Sequence, residues 1–577
     1  MANFSISPGV TISEIDNTFL TGQPVQAGAA IIGPTVKGPV NVPTLVTSYS
    51  DYQNYFGDTF TSGGLANSYF TSLAAYNYFN YGGTSLLVTR VVSGSYTSAT
   101  SSIVTNDILY VTGGYVDPGY VGDNIFELET ISEGVIMNNN ITGSAGALLS
   151  GTKDNVRFEI ITPNTSSGTF TVLIRRGDDR TNKKIILETW NNVSLDPYSS
   201  RYIAKVIGDQ KLVYDQANEQ IDVTGEYPNQ SRYVRVAAVN NPTPFYLDAN
   251  GQPKSQYTGS IPVAQNGLFG GATGDVIGGA NLYENITAGN TQGVSPSDYD
   301  DAITILKNRD AYQFNVLFTP GLTNDLHTSQ ISEIIQNTQD RGDNLFVMDL
   351  VTYGEGVQSV IGQANSRDTS YAASYYPWVR VQDPATGRQI WAPASTVIPG
   401  VYAFNDKVAA PWFAPAGINR GGLNTVIRAQ YKLTQANKDD LYESNVNPLA
   451  SLPKEGVVVF GQKTLQKEAS ALDRVNVRRL MIELKNYIRQ IADTVVFEQN
   501  TAATRNSFIA KVTPYLQIIQ QKQGLYAFKV IMDDTNNGPD VIDRNQLIGQ
   551  IYVQPTRTAE FISLDFILLP TGAQFPV

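Results

Sequence analysis

The sequence predicts an α+β multidomain protein organised around an α/β layer with parallel strands. Three observations carry this reading. Between Ser295 and Val351, helical and strand patterns alternate, the order that lays helices against a parallel sheet. From about Ser93 to Ala272 the composition turns to Ser, Thr, Gly, Asn and Tyr, with short strands, turn clusters and little helical period. At both ends apolar residues alternate: Phe4, Ile6, Val10 and Ile12 at the start, Ile562, Leu564, Phe566 and Leu568 at the finish.

The first of these end strands has no hairpin partner nearby in the sequence. An unpaired strand leaves a row of N–H and C=O groups seeking a partner. Two outcomes stay open on pattern alone: strand exchange with neighbouring subunits, or each end tucked into its own domain.

Short apolar strands fit Ala29–Ile32 and Val42–Val46 within a Gly/Pro-punctuated stretch, followed by a helix over Leu65–Phe79 and a strand at Leu86–Val92. In the β-rich region, strands fit Val156–Thr162, Thr169–Arg175, Lys184–Glu188 and Tyr233–Val239. Ser297 can cap a helix reaching Lys307. A strand at Phe314–Phe318, a loop at Thr319-Pro320-Gly321, a helix over Asp325–Thr338 and a strand at Leu345–Val351 come next. The natural binding edge of such a layer is the loops after Phe318 and Val351. Further on, Val457–Phe460 reads as a strand, about Arg474 to Val496 as a helix, and Ala502–Gln521 as a second helix containing Pro514. Strands fit Leu525–Met532 and Leu547–Val553, with a turn by composition at Asp533–Pro539 between them.

A chain of 577 residues with 42% hydrophobic content has room for roughly three or four domains with real cores. A net charge of −12 argues against a general nucleic-acid binder. With no cysteine there is no disulfide framework and no thiolate chemistry, which fits folding in a reducing cytosol. No stretch approaches about 18 consecutive apolar residues, so no membrane insertion is expected, and Met1–Ser5 lacks the basic start of a secretory signal. Tyrosine is abundant, at 32 residues, while charged residues make up 16%, a balance that suits extensive protein–protein contact.

Catalytic patterns were sought and fail. The one histidine, His327, would have to serve any Ser-His-Asp triad, no G-x-S-x-G elbow accompanies it, and a surface or cap position is expected for it. Gly83-Thr84-Ser85 is followed by a strand where a nucleophile turn needs a helix. Gly456 to Thr464 nearly spells a phosphate loop, but Gln462 separates glycine from lysine and the run between is β-branched. The tripeptides Arg176-Gly177-Asp178 and Arg341-Gly342-Asp343 read as turns, and Asp533-Asp534 lacks the spaced ligands of a calcium loop. No catalytic, cofactor or metal site is assigned.

One helix stands out. Val477, Met481, Leu484, Ile488, Ile491 and Val495 form an apolar stripe. Beside it Arg474, Arg478, Arg479, Lys485 and Arg489 face a single carboxylate, Glu483. On an acidic chain such a ridge is either a solvated face or a dock for an acidic partner.

Several segments, taken together and in order, resemble contractile tail sheath proteins of bacteriophages. They are Ile6–Glu14, then Gly33–Pro39 with Val46-Thr47-Ser48 and Tyr55-Phe56-Gly57, then Pro411–Gly417. The strongest are Gly461–Leu465 followed by Val475–Leu480, and Asp543-Arg544 with Pro555–Ile562 closes the series. The resemblance covers 1–92 and about 275–577, whereas 93–274 matches poorly. It implies a scaffold with the family's subtilisin-like layer, stripped of proteolytic residues. It also implies a C-terminal sheet completed by arms from neighbours. The implied domains are an N-terminal donated arm (1–22), the scaffold (23–92 with 275–450), inserted β-rich protruding domains (93–274), a tube-facing assembly domain (451–555) and a C-terminal arm (556–577). Strand exchange would use Phe4, Ile6, Val10, Ile12, Ile562, Leu564, Phe566 and Leu568, and the helix cations would grip the tube.

The implied function is a structural, non-enzymatic, cofactor-free subunit. It would polymerise into a helical homopolymer of stacked hexameric rings around the tail tube protein, between baseplate and tail terminator proteins. It would be assembled in the host cytoplasm and carried in the virion tail, and contraction would drive the tube through the host envelope. Alternatives are the sheath of a phage-derived bacteriocin or toxin-delivery particle, and a receptor-binding or hydrolytic virion protein.

Overall fold

The computed structural model describes residues 25–62, 64–104, 124–139, 147–275 and 281–560. The alternating positions Phe4, Ile6, Val10, Ile12, Ile562, Leu564, Phe566 and Leu568 lie outside the described residues. At the centre is an eight-stranded sheet. Its order runs Gly456–Val459, Asn447–Leu452, Ala372–Tyr376, Leu345–Asp349, Val316–Thr323, Ala29–Gly33, Leu86–Arg90 and Thr44–Val46. Neighbours from Asn447–Leu452 to Leu86–Arg90 run parallel, and the two outermost strands run antiparallel.

Strand alternation sorts the side chains into two cores. Ala29, Ile31, Val316, Phe318, Leu345, Val347, Ala373 and Tyr375 face one side, where helices Phe70–Asn80 and Ile398–Val408 cover them. Ala30, Ile32, Leu317, Phe346, Met348, Ala372 and Tyr376 face the other, under helices Asp300–Ile305, Thr328–Arg341 and Val357–Asn365. Burial on both faces is why these strands read as continuous apolar runs.

The β-rich region forms its own core from two sheets. One has the order Ile186–Ser194, Thr169–Arg176, Val156–Asn164, Gln265–Gly267, and the other Val234–Val239, Asn124–Glu133, Ser98–Val104. Helices Val475–Asp493 and Ala502–Gln521 pack with the hairpin Leu525–Ile531/Gln550–Pro555 around a smaller core that includes Leu480, Leu484, Phe508, Val512 and Leu516. Pro514 sits inside the second helix, as its position required. No helix among the described residues is long and apolar enough to cross a membrane.

Four expectations are corrected. Thr319-Pro320-Gly321 is not a loop: it lies within strand Val316–Thr323, whose register shifts between Phe318 and Thr323. A bulge of this kind absorbs turn-forming residues without ending the strand. The cap of the next helical segment is Ser295, two residues before Ser297. Its side chain and Asp298 form a capping box ahead of Pro296–Tyr299 and Asp300–Ile305. Leu65–Asn67 pairs with Phe60–Ser62 as a hairpin, so that helix begins only at Phe70. Finally, His327 is the N-cap residue of helix Thr328–Arg341, but it is buried, 2% exposed, and not at the surface.

Candidate functional site

Any hydrolytic reading depends on His327. Its Nδ1 accepts the Thr323 backbone N–H at 3.0 Å. The ring proton therefore sits on Nε2, which donates to the Thr287 carbonyl at 3.2 Å. Burial pushes the imidazole below its ordinary value. Both ring nitrogens are engaged with main chain, so the ring ties the end of strand Val316–Thr323 to the loop at Thr287, and among the described residues neither nitrogen bonds a serine or carboxylate. Gly456–Val459 is a strand, and after it Lys463 donates to the Tyr442 carbonyl at 2.7 Å, which removes the phosphate-loop reading.

The five cations on helix Val475–Asp493 part company. Arg474, at the N-cap, holds Glu560 in a two-pronged bond, Nε at 2.8 Å and Nη2 at 3.0 Å, with Asp473 beside it at 3.0 Å. Arg479 forks onto Asp406 at 2.9 and 2.6 Å and lies over the Tyr402 ring. Arg478 is as buried as Arg479, stacked 4.0 Å from the Tyr371 ring centroid and bonded to Ser370. Burial pushes its guanidinium down, while Tyr371 opposes the shift. Lys485 donates to the same Tyr371 hydroxyl at 3.1 Å and is exposed. Arg489 reaches Asp310 at 3.2 Å. Three of the cations thus lock the helix to the rest of the chain, and Lys485 and Arg489 are the ones that reach solvent.

At the other end of this arrangement is a groove of about 660 Å³ lined by Tyr442, Phe460, Gln462 and Glu560, among others. Glu560 accepts from Tyr442 at 2.5 Å and Gln462 at 3.0 Å as well as from Arg474. Burial alone would raise this carboxyl, but the hydrogen bonds from Arg474, Tyr442 and Gln462 outweigh it and hold it below the usual range. Glu560 is the last described residue, and this cluster fixes its position.

The hairpin beside it is open. Leu525–Ile531 and Gln550–Pro555 pair with each other and form a two-stranded sheet. Among the described residues neither outer edge has a strand partner. Leu525, Phe528, Val530, Ile551 and Val553 face the helices, while Tyr526 and Tyr552 are 65% and 56% exposed. Trp412, in the Pro411–Gly417 block, borders this core and donates from Nε1 to the Lys522 carbonyl at 3.0 Å.

Glu560, Asp406 and Tyr371 were not singled out by sequence. Their partners stand 86, 73 and 114 positions away, beyond any local periodicity. The one available signal was the imbalance of the helix itself, since so many buried cations on one stripe require acids or rings elsewhere.

Comparison with known proteins gives matches in two consecutive segments. Residues 292–465 match the phage tail sheath protein central domain and residues 467–568 the phage tail sheath C-terminal domain. The tail sheath protein of Vibrio phage KVP40 is 39% identical over 218 residues, 38% of this chain and 32% of that relative; the match thus spans about a third of the relative's length. The tail sheath protein of Salmonella phage ViI is 26% identical over 99% of this chain and 97% of its own. Among solved structures, the sheath tail protein Lin1278 from Listeria innocua covers 92% of this chain and 96% of its own at 11% identity, with a TM-score of 0.49. Two sheath domain models in sequence order and a relative aligned nearly end to end make the chain similar to phage tail sheath proteins.

Proposed function

We propose that this chain is a structural subunit that polymerises by strand exchange into a contractile sheath around a tail tube. The observation that carries the reading is the hairpin Leu525–Ile531/Gln550–Pro555, whose outer edges take no strand among the described residues, standing beside the Glu560 anchor. Edges of this kind accept extended segments through main-chain hydrogen bonds. The donors are the apolar alternations at Phe4–Ile12 and Ile562–Leu568. Passing a strand head-to-tail is a heterologous contact, which builds rings or helices and not closed dimers.

In this reading the scaffold sheet and the C-terminal helices move as rigid bodies while the arms keep the lattice connected. The extended sheath is metastable, and contraction releases energy stored at assembly. The tube contact is assigned to Lys485 and Arg489, and Arg474, Arg478 and Arg479 hold the helix in position. Baseplate and terminator proteins bound the polymer at its two ends. The division into scaffold, protruding region and assembly domain belongs to the same proposal, as does the absence of catalysis.

Removal of residues 2–16 tests it. The expected product is a folded, soluble subunit by circular dichroism that forms no tubular particles in negative-stain electron microscopy. Tubes at the parent's yield refute strand donation.

A further inference from the structure

The three-stranded sheet Gln389–Ala392, Val379–Gln382, Val426–Ala429 has two unlike faces. Val379, Val381, Ile390 and Ala392 enter the first core of the scaffold. On the opposite face, Arg380 stands in register with Trp391 on one side and Arg428 on the other. The two guanidinium carbons lie 5.6 and 5.1 Å from the indole centroid. Neither arginine has a carboxylate partner among the described residues, and Arg380 Nε is buried without a hydrogen bond. Stacking on tryptophan favours each cation, yet two adjacent guanidiniums repel, and an anion relieves that.

The far side of the eight-stranded sheet has the reverse character. Asp298, Asp300, Asp301 and Glu333 gather over the second core, with Glu219 beside them. Their hydrogen bonds come from neutral groups: Gln330 to Asp300 at 3.1 Å, Gln216 to Asp301 at 3.3 Å and the Ser295 backbone to Asp298 at 3.0 Å. Burial first, and Asp300 after it, push Glu333 up, with Lys307 the one cation opposing. Among the described residues, a basic surface without a carboxylate partner and an acidic one opposed by Lys307 therefore lie on opposite faces of one sheet.

We infer that the Arg380–Trp391–Arg428 face docks on the Asp300–Asp301–Glu333 surface of a second copy of this chain. The inference rests on the polymer reading above and adds a surface to it that uses neither arm. Because the two patches lie on opposite faces, the contact is heterologous and propagates from copy to copy. Its strength depends on salt, since both surfaces reach solvent.

The chain has no cysteine, which permits a direct test on the full-length protein. The double variant R428C/D300C carries two thiols on opposite faces, which cannot meet within one molecule. Mild oxidation during assembly is expected to give a ladder of dimers, trimers and higher species on non-reducing gels, while either single variant stays monomeric. A parent that forms tubes, with a double variant that forms no ladder, overturns the docking and leaves the polymer standing. Neither tubes nor ladder overturns both. Charge exchange is the second measurement. R380E/R428E is expected to lower tube yield at least tenfold, and adding D300K/D301K in the same chain to restore it. Unchanged yield in the first variant, or no recovery in the second, also overturns the contact.

Discussion

The scaffold sheet and the C-terminal hairpin use the same alternation of side chains and finish it differently. In the scaffold, Ala29–Gly33, Leu86–Arg90 and Leu345–Asp349 are buried at every position, with helices on both faces and pairing on both edges. In the hairpin, among the described residues, only one face is covered and each strand has one neighbour. A two-stranded ribbon is marginal alone and survives here by leaning on helix Ala502–Gln521. The contrast separates two tasks. The inner strands of the sheet are paired on both sides, whereas among the described residues the hairpin has two strand edges without a partner.

The contrast can be broken most forcefully in the scaffold. Phe346 is fully buried in the second core, so Phe346→Ala is expected to cost about 3–5 kcal/mol in denaturant unfolding. Tyr552→Ala, at an exposed hairpin position, is expected to change stability by under about 0.5 kcal/mol while reducing tube yield. Equal losses in the two variants would erase the distinction.

The next effect in size concerns the seam between the two regions. Arg479→Ala removes the fork to Asp406 and the stack on Tyr402, with an expected loss of about 2–3 kcal/mol by the same measurement. A further effect concerns pH. Asp349, buried at the end of its strand and bonded to Ser395 at 2.5 Å, has its carboxyl raised by burial to about 7. Its unfolded value is about 3.9, so between those values the folded state holds the extra proton. Stability from this group is full below about pH 4 and falls as pH rises through about 7. Thermal melts of the parent against Asp349→Asn should show the difference shifting across that window and level above it.

Much of this was legible in sequence, for identifiable reasons. The helices Val475–Asp493 and Ala502–Gln521 were visible because their apolar spacing repeats over several turns. The parallel scaffold was visible because strands buried on two faces read as unbroken apolar runs. Thr319–Gly321 misled because turn residues also fill a bulge. The fate of the basic ridge was hidden for a different reason. A row of arginines looks the same whether its partners are solvent or distant acids, and Arg479 and Asp406 are brought together only by packing of the C-terminal helix on helix Ile398–Val408.

The grip on Glu560 has a mechanical consequence. A pull applied at residue 560 meets Arg474, Tyr442 and Gln462, which share the load in parallel. From Arg474 the tension enters the head of a helix that Arg479 rivets to the scaffold. The arrangement is built like a tendon insertion, spreading a load at residue 560 into the body of the molecule and away from the hairpin.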